Sequence, residues 1–304
     1  MTTIERWRGL FLVSLGIVTP VCLAEFDPSD IHQTSAVYGD PDRPDRILQT
    51  LDVYQKRSDI RSDSVQLKPA VIYIHGGGWF FGDKADVFAK PAFFLSHDMV
   101  FISANYRLQA EYSLLDQLED VASTISYVQR EHRRYQIDPS KIILIGHEAG
   151  AHLVSLIATD PRYLRQVGLS PSAITGVVAI NSIAYDVVHR MANSDDYLEQ
   201  RRLRLAFGDS EEVWRTVSPV SHVASETDVQ SQETSLPAFA LLHVAEDESQ
   251  TEQARRFSRA LQAAGSYVLI IPANSKTRDT IDQELGTPGD RTSLALMAFL
   301  RAKL

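Results

Sequence analysis

The chain has 304 residues, 44% of them hydrophobic and 23% charged, with a formal net charge of -9. A sequence of that length and composition buries a sizeable core, and no basic stripe marks it for nucleic acid. Its one cysteine, Cys22, stands in the N-terminal segment, so cleavage of that segment would leave no disulfide, thiolate nucleophile or cysteine metal site.

That segment, "MTTIERWRGLFLVSLGIVTPVCLA", places Arg6 and Arg8 before an apolar stretch from Gly9 to about Val18 and ends in Cys22-Leu23-Ala24. The pattern is that of an export signal over residues 1–24, leaving residues 25–304 as the working domain, periplasmic or secreted. A retained membrane anchor is the alternative, although the apolar run is shorter than the ~20 residues a span requires.

Beyond a polar stretch, "ILQTLDVYQ" alternates like a strand. "PAVIYIH" and "DMVFISANYRL" are apolar, β-branched runs that read as buried strands. "LLDQLEDVASTISYVQREHRRY" carries Leu114, Leu118, Val121, Ile125 and Val128 at helical spacing. "DPSKIILIG" predicts a strand and "AGAHLVSLIAT" a helix, followed by strands "ITGVVAINS" and "PAFALLHVA". "TEQARRFSRALQAAG" is a helix ended by Gly265, "YVLIIPA" the last strand and "RTSLALMAFLRAKL" the last helix. Strands alternating with helices imply an α/β fold with a mostly parallel sheet covered on both faces. Ligands bind such sheets at the carboxyl ends of the strands, here after Ile74, Ile145, Val244 and Pro272.

Two of those ends carry chemistry. "HGGGW", His75 to Trp79, follows a strand directly, and Gly76, Gly77 and Gly78 let the backbone turn and present N–H groups, as half of an oxyanion hole does. "GHEAG" has the strand, Gly-x-x-x-Gly, helix form of a nucleophile elbow, with Gly146, His147 and Gly150 around Glu148. The N–H of Ala149 supplies the other half of the hole. Serine belongs at the centre of that pattern, and Glu148 stands there.

In "AVYGD", "LDVY", "YIHGGGWFFGDK", "NYRL", "LEDV", "YQIDPSKIILIGHEAGAHL", "SPVSHV", "LLHVAED" and "LGTPGD…FL", the chain resembles an α/β-hydrolase of the carboxylesterase type. It is similar to the feruloyl-esterase-like (BD-FAE) and hormone-sensitive-lipase-like groups. The resemblance runs from about Ala36 to the end and implies an α/β-hydrolase fold. It puts the triad acid at Asp247, with its neighbour Glu246 the lesser candidate. Its base histidine falls in "PANSKTRDTIDQELG", where counting back from Leu285-Gly286 reaches Arg278, and no histidine occurs after His243.

The catalytic positions thus read Glu148, Asp247, Arg278. Losing the serine or the histidine of such a triad costs on the order of a millionfold in turnover, and losing both little more. The expectation is a pseudoenzyme in which a Glu148–Arg278 ion pair replaces the serine–histidine hydrogen bond, with Asp247 as a second partner of the arginine and the carboxylate free to occupy the oxyanion hole. The alternative is an atypical hydrolase or lyase acting on a small ester-like substrate with Glu148 as nucleophile or base. Trp79, Phe80 and Phe81 either line a pocket for an aromatic or ester-like ligand or pack the loop. The stretch Arg190 to Asp209 is where relatives carry a cap, and its charge mix also fits a solvated helix. No histidine–carboxylate cluster has metal-ligand spacing, so neither metal nor cofactor is expected.

Overall fold

The computed structural model describes residues 26–62, 65–223 and 236–304; the segment 1–24, read above as an export signal, lies outside them. Among these residues no helix is long and apolar enough to cross a membrane.

Eight strands form one sheet in the order β1-β2-β4-β3-β5-β6-β7-β8. They are β1 (Ile31–Val37), β2 (Thr50–Lys56), β3 (Lys68–Ile74), β4 (Val100–Ala104), β5 (Ile137–His147), β6 (Gly176–Ile180), β7 (Ala238–Val244) and β8 (Val268–Ala273). β1 and β2 run antiparallel at one edge; every pairing from β4 through β8 is parallel. The sheet is therefore mostly parallel, as the alternation of elements implies.

The central strands carry continuous apolar runs because both faces are covered. On β3, Ala70, Ile72 and Ile74 enter one core and Val71 and Tyr73 the other. On β5, Ile142 and Leu144 face the first core and Ile143 and Ile145 the second. β1 is absent from the sequence reading, for a physical reason. As an edge strand its residues are only half-buried or exposed, so its polar composition carries no apolar signal.

Helix Leu114–Arg130 starts in a capping box, in which Ser113 and Asp116 bond each other's backbone N–H. Helix Ala149–Thr159 is wholly buried behind the elbow. The stretch Arg190 to Asp209 holds the end of helix Val187–Asn193 and all of Tyr197–Phe207, which buries Glu199, Leu203 and Phe207 and presents its arginines outward. It is a two-sided element rather than a purely solvated one. The carboxyl ends of β3, β5, β6, β7 and β8 lie side by side, and the chemistry-bearing loops leave from them.

Candidate active site

Glu148 adopts φ 44° and ψ -107°, between the end of β5 and helix Ala149–Thr159. A non-glycine residue there stores about 1–3 kcal/mol of strain and persists only if its surroundings hold it. They do: its N–H donates to the carbonyl of Ile180 at 2.9 Å, and its own carbonyl accepts from the N–H of His152 at 3.0 Å. The flanking glycines permit the turn. A Cβ on Gly146 would lie 2.3 Å from the carbonyl of Gly150, and one on Gly150 would lie 2.1 Å from the carbonyl oxygen of Ile74. Both contacts are with backbone, so neither position tolerates a side chain without moving strand or helix.

The glycine loop is set against this elbow. Gly77 and Gly78 have φ 106° and 59°, and a Cβ on Gly76 would meet Glu148 Cβ at 3.3 Å. Trp79 fixes the end of the loop. It is buried, its carbonyl accepts from the N–H of Gln109 and from Gln117 Nε2, both at 2.9 Å, and its ring meets that of Phe207 at 4.8 Å. His152 Nε2–H donates to the carbonyl of Val217 at 2.7 Å, which leaves Nδ1 to accept from Trp79 Nε1 at 3.3 Å. Burial drives the His152 pKa down to about 4, opposed only by the bond to Val217, so the ring is neutral at pH 7. Phe80 packs against the core, whereas Phe81 is 74% exposed. The aromatic triplet thus splits: Trp79 both packs the loop and lines the cleft, and Phe81 does neither.

Asp247 caps helix Glu248–Ala263 at the end of β7. Burial would raise its pKa, but bonds from Ser249 Oγ at 2.7 Å and the Gln250 N–H at 3.1 Å, with the charges of Arg278 and Arg190, hold it below the usual carboxylate range. Glu246 points elsewhere and accepts from the N–H of Ser275 at 2.9 Å. The backbone of Arg278 is tied to the elbow, because its carbonyl accepts from His147 Nε2 at 2.9 Å.

The expected Glu148–Arg278 ion pair is not formed. Among the described residues the Glu148 side chain has neither ion pair nor hydrogen bond. Nor does its carboxylate accept from the N–H groups around it. The Nη2 of Arg278 stands 3.9 Å from Asp247 Oδ2 instead. The cause is geometric: Asp247 is pinned by its helix cap and competes for the arginine, while Glu148 is held by its backbone at the elbow. Glu148 and Arg278 nonetheless line one small, partly open cleft of about 10 Å³, room for about one water, with Gly78, Trp79, Ala149, Asn181, Ile183 and Arg202.

Asn181 and Arg202 are absent from the sequence reading. Asn181 directly follows β6 with φ 62°, and Arg202 comes from helix Tyr197–Phe207. The only signals were a polar residue at a strand end and an arginine-rich run in the cap region.

An eight-stranded, mostly parallel sheet with a strained residue on a glycine-flanked strand–helix turn, facing a glycine loop, is the α/β-hydrolase arrangement. Solved structures agree in fold: Esterase B from Lactobacillus Rhamnosis has a TM-score of 0.68 at 20% identity, covering 90% of this chain and 86% of that one. A truncated carbohydrate esterase from gut microbiota has a TM-score of 0.70 at 19% identity, covering 91% and 98%. The BD-FAE family model matches residues 51–261, and the chain belongs to that family. Among curated proteins it is similar to the probable isoprenylcysteine alpha-carbonyl methylesterase ICMEL1 of Arabidopsis thaliana, 27% identical over 249 residues, covering 80% of this chain and 50% of that protein. Esterase LipC of Mycobacterium tuberculosis is 28% identical over 295 residues, covering 92% and 68%. The chain spans about half the length of the methylesterase relatives it matches.

Proposed function

We propose that this member of the BD-FAE family no longer turns over esters by serine chemistry and keeps its cleft for a small ester-like or aromatic ligand. One observation carries the reading: the strained elbow, where the family pattern calls for serine, presents Glu148, and Arg278, which the resemblance puts at the base position, lines the same cleft. A carboxylate could attack an ester, but no histidine stands at the base position to activate water against the resulting intermediate. The N–H groups of Gly78 and Ala149 remain as the oxyanion-hole pair, and esterase names among the relatives support an ester-like ligand. Residues 1–24 act in this reading as an export signal, and intact mass of protein recovered outside the cytoplasm should begin at Glu25; Met1 retained on a membrane-bound form would favour the anchor.

The test compares wild type with Glu148→Ser/Arg278→His on p-nitrophenyl acetate and with a fluorophosphonate probe. Wild type should stay at background and unlabelled. Stoichiometric labelling of wild type, or wild-type hydrolysis above background that survives Glu148→Gln, would sink the reading.

A second reading draws support from the unpaired state of Glu148. A carboxylate with no bonded cation can accept a proton, so proton abstraction next to a carbonyl is the competing chemistry. Deuterium exchange into a carbonyl compound that is abolished by Glu148→Gln would favour it.

A further inference from the structure

The cleft as it stands has room for about one water, so a ligand enters only where a wall gives way. Most of its walls are fixed. Ala149 opens the wholly buried helix Ala149–Thr159, and Trp79, Asn181 and Ile183 are buried. Asn181 is tied twice more: its N–H donates to the carbonyl of Leu242 at 2.8 Å, and its Oδ1 accepts from the N–H of Val244 at 3.3 Å. The carbonyl of Arg278 is bonded by His147, and its guanidinium is drawn to Asp247. Glu148 leaves from the elbow, whose backbone bonds fix where its side chain starts.

Arg202 differs from all of these. Its helix, Tyr197–Phe207, is seated on the glycine loop: the Phe207 ring meets Trp79, and Gln109 Nε2 donates to the carbonyl of Ala206 at 3.0 Å. From that helix the Arg202 side chain reaches over the loop. A Cβ on Gly78 would lie 3.7 Å from Arg202 Cδ and, its chain neighbours aside, within 4 Å of nothing else. The methylene stem of Arg202 is thus the one cover over Gly78 among the described residues. The residue is exposed, and its guanidinium has neither ion pair nor hydrogen bond among the described residues. A stem that packs by contact alone, ending in a head tied to nothing, rotates into solvent without breaking a polar bond. Exposed side chains make such changes in picoseconds to nanoseconds. The stem's contact with the loop favours the covered position.

We propose that Arg202 is the gate of the cleft: its stem, packed over Gly78, sets the size of what is admitted, and rotation of that one side chain opens the site to a neutral ligand as large as an aromatic ester. The proposal rests on the cleft being a ligand site, the reading given above. The helix that carries Arg202 stays seated throughout, because Phe207 and Leu203 hold it to the core. The gate acts through the stem that covers the loop and not through the charge at its tip.

The experiment places a single thiol in the cleft, in the full chain carrying Cys22→Ser and Glu148→Cys, which has no other cysteine. Labelling by N-phenylmaleimide, a neutral reagent far larger than one water, is followed against pH so that rates of the fully ionised thiolate are compared. Adding Arg202→Ala should raise that rate about tenfold or more, because the cover is gone. Arg202→Met keeps a stem without the charge and should stay within about threefold of the parent, as should Arg201→Ala on the same helix. Loss of a cation beside the thiol would by itself raise the thiol pKa and slow labelling at fixed pH, the opposite sign. An unchanged rate with Arg202→Ala, or a rise with Arg202→Met as large as with Arg202→Ala, would overturn the gate. With Glu148 in place, Arg202→Ala should also bind phenyl acetate about tenfold more tightly than wild type in a calorimetric titration, and measurable but equal affinities would overturn the gate as well. Faster labelling with no phenyl acetate binding to either protein would uphold the gate and defeat the ligand reading alone.

Discussion

Lys90 and Asp282 meet at 2.9 Å with side chains 0% and 5% exposed, whereas Arg278 and Asp247 stand 3.9 Å apart with side chains 37% and 26% exposed. Both pairs serve the segment that follows β8. The first is tied by further bonds: Lys90 Nζ also donates to the Asp282 carbonyl at 2.9 Å, and Tyr73 OH donates to Asp282 Oδ2 at 3.0 Å, while Asp282 Oδ1 is buried without a partner. Burial pushes the Lys90 ammonium below its ordinary pKa, and the attraction of Asp282 works against this. The second pair is long, open and screened. The same division holds at the elbow, where glycine contacts, Trp79 and His152 are buried while Glu148 and Arg202 face solvent. The supports of the cleft are thus held by packing, whatever the side chains that face it do. The frame is therefore independent of which side chain stands at position 148, because it is required by the fold.

The largest effect should come from intruding on the frame. Gly150→Ala would put a Cβ 2.1 Å from the Ile74 carbonyl oxygen, and both partners are backbone. It should destabilise by more than about 5 kcal/mol or prevent folding, as read by denaturant unfolding and soluble yield. A loss under about 1 kcal/mol would mean that strand and helix are not tightly apposed.

Next is the buried pair. Asp282→Ala leaves Lys90 charged and unpaired and should cost about 3–5 kcal/mol in a denaturant titration. Lys90→Met/Asp282→Leu should recover most of it. If the double variant is as damaged as the single, the pair is not the source of the cost.

The third prediction concerns pH. Folded His152 has a pKa of about 4 against 6.5 in the unfolded chain. Below pH 6.5 the unfolded chain takes up a proton that the folded one does not, so this contribution is full above pH 6.5 and falls away down to about pH 4. Between pH 7 and 5 wild type should lose about 2 kcal/mol from this residue alone. His152→Gln should be weaker at pH 7 yet lose less on acidification by about that amount. An unchanged pH slope would mean the ring is protonated, or solvated, in the folded protein.

The smallest effects belong to the open side. Arg278→Met should change stability by only about 0–1 kcal/mol. Glu148→Gln and Arg278→Met should be additive within about 0.5 kcal/mol, since no bond joins the two residues. Coupling well beyond that would restore the ion pair that the cleft geometry lacks.

Much of this was legible in the chain. The runs "PAVIYI", "IILIG" and "PAFALL" are free of polar side chains because they fill β3, β5 and β7 between two cores. Gly146 and Gly150 were readable because an elbow is a local object: five consecutive residues set its shape. β1 was not readable, because an edge strand owes its existence to the neighbour it pairs with, through the register from Ile31 with Lys56 to Val37 with Thr50.

The candidate site divides along the same line. Sequence alone determined which residues occupy the elbow and the glycine loop, since each is set by its place beside a strand end, and the family resemblance pointed to Asp247 and Arg278 in the loops after β7 and β8. Only the tertiary structure decided what those residues touch. Glu148, Asn181, Arg202, Asp247 and Arg278 come from five separate stretches, and their partners depend on helix caps, backbone ties and side-chain reach. Asp247 is held rigid by its cap and lies nearer to Arg278, so it takes the guanidinium that the charge pattern assigned to Glu148.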